Sequence, residues 1–294
     1  MFFYAFAPYL CIFTQDEIGM PELPEVETTK VSLEPLLHQT VQQVKVYQHS
    51  LRWPIPEDVA KLKGQRLVSL KRRSKYIVAQ FEQDTMLWHL GMSGSFRICQ
   101  ADEALRKHDH VVISFEDCEL RYHDPRRFGC ILWLDQYAQD KLLAPLGPEP
   151  LSSAFDAEYL ANKLKNKNVG IKVAIMDNHV VVGVGNIYAT ESLFNLGIHP
   201  AEPAKNLTTQ QVSQLVLEIK RILKQAIDLG GSTLRDYSNA MGENGYFQQT
   251  LLAYGRSGEM CVNCETTLEN IKLGQRASVF CPTCQPLQPK GKSS

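Results

Sequence analysis

The chain has 294 residues, 44% hydrophobic and 21% charged, which is ordinary globular composition with enough length to bury two cores. Lys and Arg number 31 against 32 Asp and Glu, and the net charge of −1 excludes a uniformly basic nucleic-acid coat. A local basic groove stays open: Lys71, Arg72, Arg73 and Lys75 cluster, as do Lys163, Lys165, Lys167 and Lys172.

Residues 1–19 (MFFYAFAPYLCIFTQDEIG) are aromatic and apolar. They have neither the basic n-region nor the small-residue cleavage site of a secretory signal, and the apolar run is short for a bilayer. The expectation is a non-native extension, with Met20 the true start. Initiator Met is usually removed before a small residue, which would leave the secondary amine of Pro21 as the chain end. A free α-amine titrates near about 8, against roughly 10.4 for lysine. It is therefore neutral and nucleophilic near physiological pH, able to form an iminium with a sugar aldehyde carbon. Glu22 is a candidate proton shuttle, and Glu25 is placed to orient or neutralise a charged intermediate. With the extension attached, the Pro21 nitrogen is a tertiary amide, so extension and nucleophile exclude each other. The same string also reads as a plain helix start, with Pro24 early, acids in the first turn, and Val26, Leu33 and Leu37 on one buried face.

Eight short strand-like runs follow: Val41–Tyr47, Leu67–Lys71, Tyr76–Phe81, Met86–Leu90, Ser95–Cys99, Val111–Phe115, Glu119–His123 and Cys130–Leu134. Their spacing predicts a β-sandwich or barrel, and the lack of strand–helix alternation argues against a parallel α/β sheet. Lys75 lies where one run yields to the next and is equally a member of a solvated charge run. Met92, in His89-Leu90-Gly91-Met92-Ser93-Gly94, sits at a turn. Arg126 and Phe128 lie in Asp124-Pro125-Arg126-Arg127-Phe128-Gly129, a loop beside a strand. His108, in Lys107-His108-Asp109-His110, precedes a strand; a metal at this His/Asp group is the minor reading.

Leu146-Gly147-Pro148-Glu149-Pro150-Leu151 reads as a Pro-rich linker. Helices are predicted at Asp156–Lys165, Lys172–Asn178 and Thr208–Leu229, the last carrying an apolar stripe from Val212 to Ile227 that is core. Gly185-Asn186 ends a glycine-containing turn that opens another helix, whose free N–H groups suit a phosphate. Gly230 to Phe247 is Gly-rich and polar, typical of a mobile loop. Cys261-x2-Cys264-x16-Cys281-x2-Cys284 places four thiolates around one structural Zn²⁺ with no open coordination position. The other four cysteines are scattered, the usage of a reducing compartment and not of a disulfide scaffold.

Pro21-Glu22-Leu23-Pro24-Glu25-Val26-Glu27-Thr28, the run from Gly185 to Pro200, and the four cysteines around Gly274-Gln275-Arg276-Ala277 together resemble the formamidopyrimidine-DNA glycosylases, bacterial enzymes that remove oxidised purines. Leu23 stands where the related endonuclease VIII branch typically has Gly. The resemblance covers residues 20 to about 285. It implies an α+β fold of two domains: an N-terminal β-sandwich with flanking helices, and a C-terminal helical domain with a helix–two-turn–helix and a zinc-finger hairpin. The expected limits are 20–150, 151–254 and 255–286, with a tail at 287–294.

By the same resemblance, Pro21 attacks C1′ and Glu22 acts as acid/base. Lys75 contacts phosphate and assists strand cleavage. Arg276 binds phosphate near the lesion and assists the last elimination. Met92, Arg126 and Phe128 fill the hole left by an extruded base, offsetting an unstacking cost of a few kcal/mol. His108, Lys167 and Asn186 contact the DNA backbone. The implied partner is duplex DNA with oxidised bases, bound by a monomer in the bacterial cytoplasm at the nucleoid, with no membrane role and no redox or nucleotide cofactor. Two rivals stand beside this reading: endonuclease VIII specificity for oxidised pyrimidines, and a non-catalytic lesion sensor with a blocked chain end.

Overall fold

The computed structural model describes residues 21–232, 240–241 and 245–287. The proposed extension and most of the Gly-rich stretch between 230 and 247 lie outside them. All eight strand-like runs form strands: β1 (Gln43–Val46), β2 (Leu67–Arg73), β3 (Tyr76–Phe81), β4 (Thr85–His89), β5 (Ser95–Cys99), β6 (Asp109–Ser114), β7 (Glu119–His123) and β8 (Cys130–Trp133). They make two four-stranded sheets, ordered β1-β6-β7-β5 and β2-β3-β4-β8, with every pairing antiparallel. Alternate residues explain the sandwich. Ile77, Ala79 and Phe81 of one sheet join Val111, Ile113, Leu120 and Tyr122 of the other in a single buried cluster. Trp88 and Tyr122 each meet the Phe96 ring, with centroids 4.9 and 5.1 Å apart.

Helix α1 (Leu23–Ser32) closes this core with Val26, and Leu33 follows at its C-terminus. At the far end the fully buried residue is Leu36, while Leu37 is only partly covered. The chain leaves α1 through a 3-10 turn at Glu34–Leu36, which breaks the 3.6-residue period that had selected Leu37.

A short helix, α2 (Gln136–Ala138), precedes the linker. Beyond it come α3 (Ala157–Leu164), α4 (Ile171–Ile175), α5 (Asn186–Asn195) and α6 (Thr209–Asp228). Asp156 and Thr208 cap α3 and α6, Thr208 within a capping box with Gln211. Helix α4 ends at Ile175, short of the expected Asn178. Asp177 turns the chain there, its backbone carbonyl accepting from the Val180 and Val181 N–H groups and its carboxylate from His179 N–H. The predicted stripe of α6 packs from Val212 to Leu223 with Tyr188, Leu193 and Phe247 in a second buried cluster, where Ala226 takes the last place expected for Ile227. A hairpin of β9 (Glu269–Leu273) and β10 (Arg276–Phe280) carries a third, smaller cluster with the cysteines. Ala240 belongs to the first cluster: its carbonyl accepts from Ile98 N–H beside β5 and its own N–H donates to Ser32 Oγ.

The linker is gripped on both sides. The Glu149 carboxylate accepts from Arg72 Nη1 (2.6 Å), Arg73 Nη1 (3.0 Å) and Ser74 N–H (2.7 Å), and Arg73 Nη2 reaches the Leu146 and Gly147 carbonyls. Gly147 N–H donates to Asn178 O, and Val182 N–H to Pro148 O. The β2–β3 turn bearing Lys75 is thereby tied to the segment that runs into Gly185.

Candidate active site

Pro21 and Glu22 are buried where α1 meets α5. Glu22 is the N-cap of α1, and its own N–H donates to Glu25 Oε2 at 2.9 Å, closing a capping box. Its Oε1 accepts from Ile187 N–H at 3.0 Å, across 165 residues of sequence. The helix end expected to receive a phosphate is thus already occupied by a carboxyl of the protein itself. Gly185 makes this possible: a Cβ there would lie 2.1 Å from Glu22 Cδ. Glu22 Oε2 and Asn186 Oδ1 are both buried without a hydrogen-bond partner among the described residues.

Burial dominates the chemistry of Glu22. It pushes the carboxyl up to about 7, against the opposing pull of Lys75, the Ile187 N–H and Arg276, while Glu25 adds to the rise. A carboxyl poised there holds a proton at neutral pH and can also release one, which is what general acid/base work requires. Glu25 is a structural hub: its Oε1 accepts from Tyr188 Oη (2.7 Å), Ser232 N–H (2.7 Å) and Ser232 Oγ (2.8 Å). It anchors the start of the Gly-rich stretch to α1, while its Oε2 accepts from the Glu22 backbone.

Lys75 follows Ser74, which turns with φ 56°. Its charge acts on Glu22 and on His89. His89 has no role in the sequence reading. Burial and the charges of Lys75 and Arg52 hold it well below its usual value, so the ring is neutral. Nδ1 accepts from Gly91 N–H at 2.9 Å, which puts the ring proton on Nε2. Lys172 is also missed as a site residue. It is 1% exposed and burial pushes it down to about 7, with Glu22 the favourable charge opposing that and Arg276 an unfavourable one.

The loops carrying Met92 and Arg126–Phe128 are brought together. Gly91, at φ 65°, has the Phe128 backbone so close that a Cβ would stand 2.3 Å from it. The fully buried Asp124 accepts from Ser93 Oγ (2.6 Å) and Gly129 N–H (2.8 Å), and Ser93 Oγ in turn accepts from Arg126 N–H. Arg126 and Phe128 project outward, with the guanidinium carbon 5.3 Å from the ring centroid. An exposed Phe at 46% has no packing reason to be there.

His108 adopts φ 77° at the head of β6, its ring 6.0 Å from that of His110 and 6.1 Å from that of His123. Asp109 is committed to His123 and Arg97, and His110 Nε2 to the Asp124 carbonyl. Among the described residues the only group with metal-binding geometry is the four cysteines, so the His/Asp reading gains nothing. Lys167 pairs with Asp177 at 3.2 Å.

The four cysteine sulphurs lie within 4.8 Å of one another, with three pairs at 3.3, 3.4 and 3.9 Å. Tetrahedral zinc with Zn–S near 2.3 Å requires sulphurs roughly 3.8 Å apart, so the set fits. The site holds one structural zinc, which fixes the β9–β10 hairpin and leaves no position for substrate.

Three family models match in sequence order: the formamidopyrimidine-DNA glycosylase N-terminal domain over 20–131, the formamidopyrimidine-DNA glycosylase H2TH domain over 146–238, and a zinc finger found in FPG and IleRS over 258–287. The formamidopyrimidine-DNA glycosylase of Acinetobacter baumannii is 78% identical over 269 residues, 92% of this chain and 98% of that protein. That of Pseudomonas syringae is 53% identical, covering 90% of this chain and all of its own length. Among solved structures, Lactococcus lactis Fpg with DNA containing an abasic site matches with TM-score 0.83 and 35% identity, over 90% of this chain and all of that one. A glycine-to-proline mutant of the same protein with Fapy-dG DNA gives 0.84 and 34%, with the same coverage. From the capped start of α1 to its zinc hairpin, this chain belongs to the formamidopyrimidine-DNA glycosylase family.

Proposed function

We propose that the protein is a bifunctional DNA glycosylase/AP lyase of base-excision repair that removes oxidised purines, 8-oxoguanine and formamidopyrimidines, from duplex DNA. The observation that carries the reading is the juxtaposition of Pro21 with a buried Glu22 poised near neutrality, under the charges of Lys75 and Arg276. The Pro21 nitrogen attacks C1′, the C1′–N bond breaks, and the base leaves with a proton supplied through Glu22. The ring-opened sugar is then held as an iminium on Pro21. Abstraction of a C2′ proton expels the 3′-phosphate, and a second elimination expels the 5′-phosphate. Lys75 and Arg276 stabilise the departing phosphates. Met92, Arg126 and Phe128 occupy the space of the extruded base, and His108, Lys167 and Asn186 contact the DNA backbone, Lys167 after exchanging its Asp177 partner.

The units of this reading are 20–150, 151–254 and 255–286, acting as a monomer at the bacterial nucleoid. The mechanism requires a free Pro21 amine, hence a chain begun at Met20 or processed to it. The test is borohydride trapping on a duplex with 8-oxoguanine opposite cytosine, using chains begun at Met1 and at Met20. A covalent adduct with the Met20 form alone supports both the amine and the non-native extension. An adduct with neither form, or excision by a Pro21→Gly variant at the wild-type rate, overturns the nucleophile.

A further inference from the structure

Arg276 stands at the first residue of β10, on a hairpin whose own fold is set by zinc. Zinc, however, fixes only the shape of the hairpin and not its seat on the rest of the protein. The seat is made at both ends of β10. Beside Arg276, the buried Lys172 Nζ donates to Ala277 O and Ser278 Oγ, each at 2.9 Å. At the knuckle end, the Phe280 ring meets His199 edge-on at 4.5 Å. Gly197, φ 64°, lets the Cys284 carbonyl approach so closely that a Cβ would lie 2.9 Å from it.

One side chain joins the knuckle directly to the α5 turn. Gln285, 1% exposed, follows the last zinc ligand. Its Oε1 accepts from Cys281 N–H at 2.9 Å and its Nε2 donates to Ile198 O at 2.7 Å. The two halves of one amide therefore do different things: the acceptor orders the zinc knuckle, and the donor docks it. A buried glutamine satisfied at both ends is costly to disrupt at either.

We infer that Gln285 is a positioning residue, docking the zinc hairpin on the α5 turn so that Arg276 is held over the site. This rests on the role of Arg276 given under Proposed function. Gln285→Glu separates docking from metal binding. The carboxylate keeps an acceptor for Cys281 N–H, but it turns a lone pair toward the Ile198 carbonyl where a donor stood. Gly197→Ala pushes on the same joint from the other side.

Three quantities are read on each variant, with Arg276→Ala alongside: bound zinc, amide hydrogen exchange over Glu269–Phe280, and the ratio of δ- to β-elimination products on an abasic duplex. Both variants are expected to keep zinc at the wild-type level and to exchange faster across the hairpin. The δ/β ratio should fall by roughly ten- to a hundredfold, the scale of a group displaced by about 1 Å. Zinc loss in Gln285→Glu overturns the inference, because the residue would then act through the metal. Wild-type exchange or a wild-type product ratio with zinc retained overturns it as well. If Arg276→Ala itself leaves the ratio unchanged, the role of Arg276 falls, and the exchange data alone decide whether Gln285 docks the hairpin.

Discussion

Gly185→Ala tests the geometry of Glu22 with a single methyl group. Gly185 has φ −99°, an ordinary backbone value, so alanine adds no torsional strain and the effect is purely steric. The new Cβ would lie 2.1, 2.3 and 2.4 Å from the three carboxyl atoms of Glu22. Relief to an ordinary contact near 3.4 Å requires the carboxyl to retreat by about 1 Å, which breaks the 3.0 Å bond from Ile187 N–H. Loss of that charge-assisted bond costs about 1.5–3 kcal/mol of stability. A catalytic group misplaced by about 1 Å costs on the order of 10²-fold in rate. The assay is single-turnover excision of 8-oxoguanine, with borohydride trapping on a pre-formed abasic site as the comparison. Base excision should fall about a hundredfold, while abasic-site trapping, which needs no proton delivered to a leaving base, falls far less. Losing the Ile187 N–H also removes a contact that lowers the Glu22 pKa, so the alkaline limb of the excision profile should move to higher pH. Excision within about threefold of wild type would refute the placement of Glu22 at this helix end.

Glu22→Gln should abolish base excision and spare abasic-site trapping; in the wild type, excision should decline as pH rises through about 7, where the acid form is lost. Lys172 is held down to about 7, so the folded state binds fewer protons than the unfolded chain between there and the ordinary lysine range. Denaturant titration should therefore show wild-type stability rising with pH relative to Lys172→Met across that window, by up to about 1.4 kcal/mol per pH unit; a parallel pair of curves refutes the burial of a titrating lysine. Phe128→Ala removes a side chain that is 46% exposed, so thermal stability should change by less than about 1 kcal/mol. Fluorescence of a base analogue opposite the lesion should nonetheless report much weaker extrusion. Replacing Cys261 with Ser should remove zinc and DNA binding together, and metal-retaining protein without DNA affinity would contradict the coupling.

Local rules were sufficient wherever the cause of a structure lies within a few residues. Short runs rich in Val, Ile and aromatics, set apart by polar or Gly-containing breaks, located all eight strands, because β-branched and aromatic side chains suit a half-buried pleated surface. Two Cys-x2-Cys knuckles specified a zinc site, since metal geometry admits little else at that spacing.

What tertiary structure decided is how each group is charged and held. The Glu22 carboxyl is pushed up to about 7 only because folding strips its water, against the opposing pull of the Ile187 N–H, 165 residues away. Lys172 looked like one of several surface lysines, yet it is sealed against the β10 hairpin. Glu191 gave no signal in its string, yet its carboxylate accepts three successive N–H groups, from Leu252, Ala253 and Tyr254, where the chain turns toward the zinc finger. Desolvation and hydrogen-bond satisfaction depend on which surfaces meet. Residue type and spacing state what a side chain is able to do, and only the packing of distant elements fixes the charge and direction with which it does it.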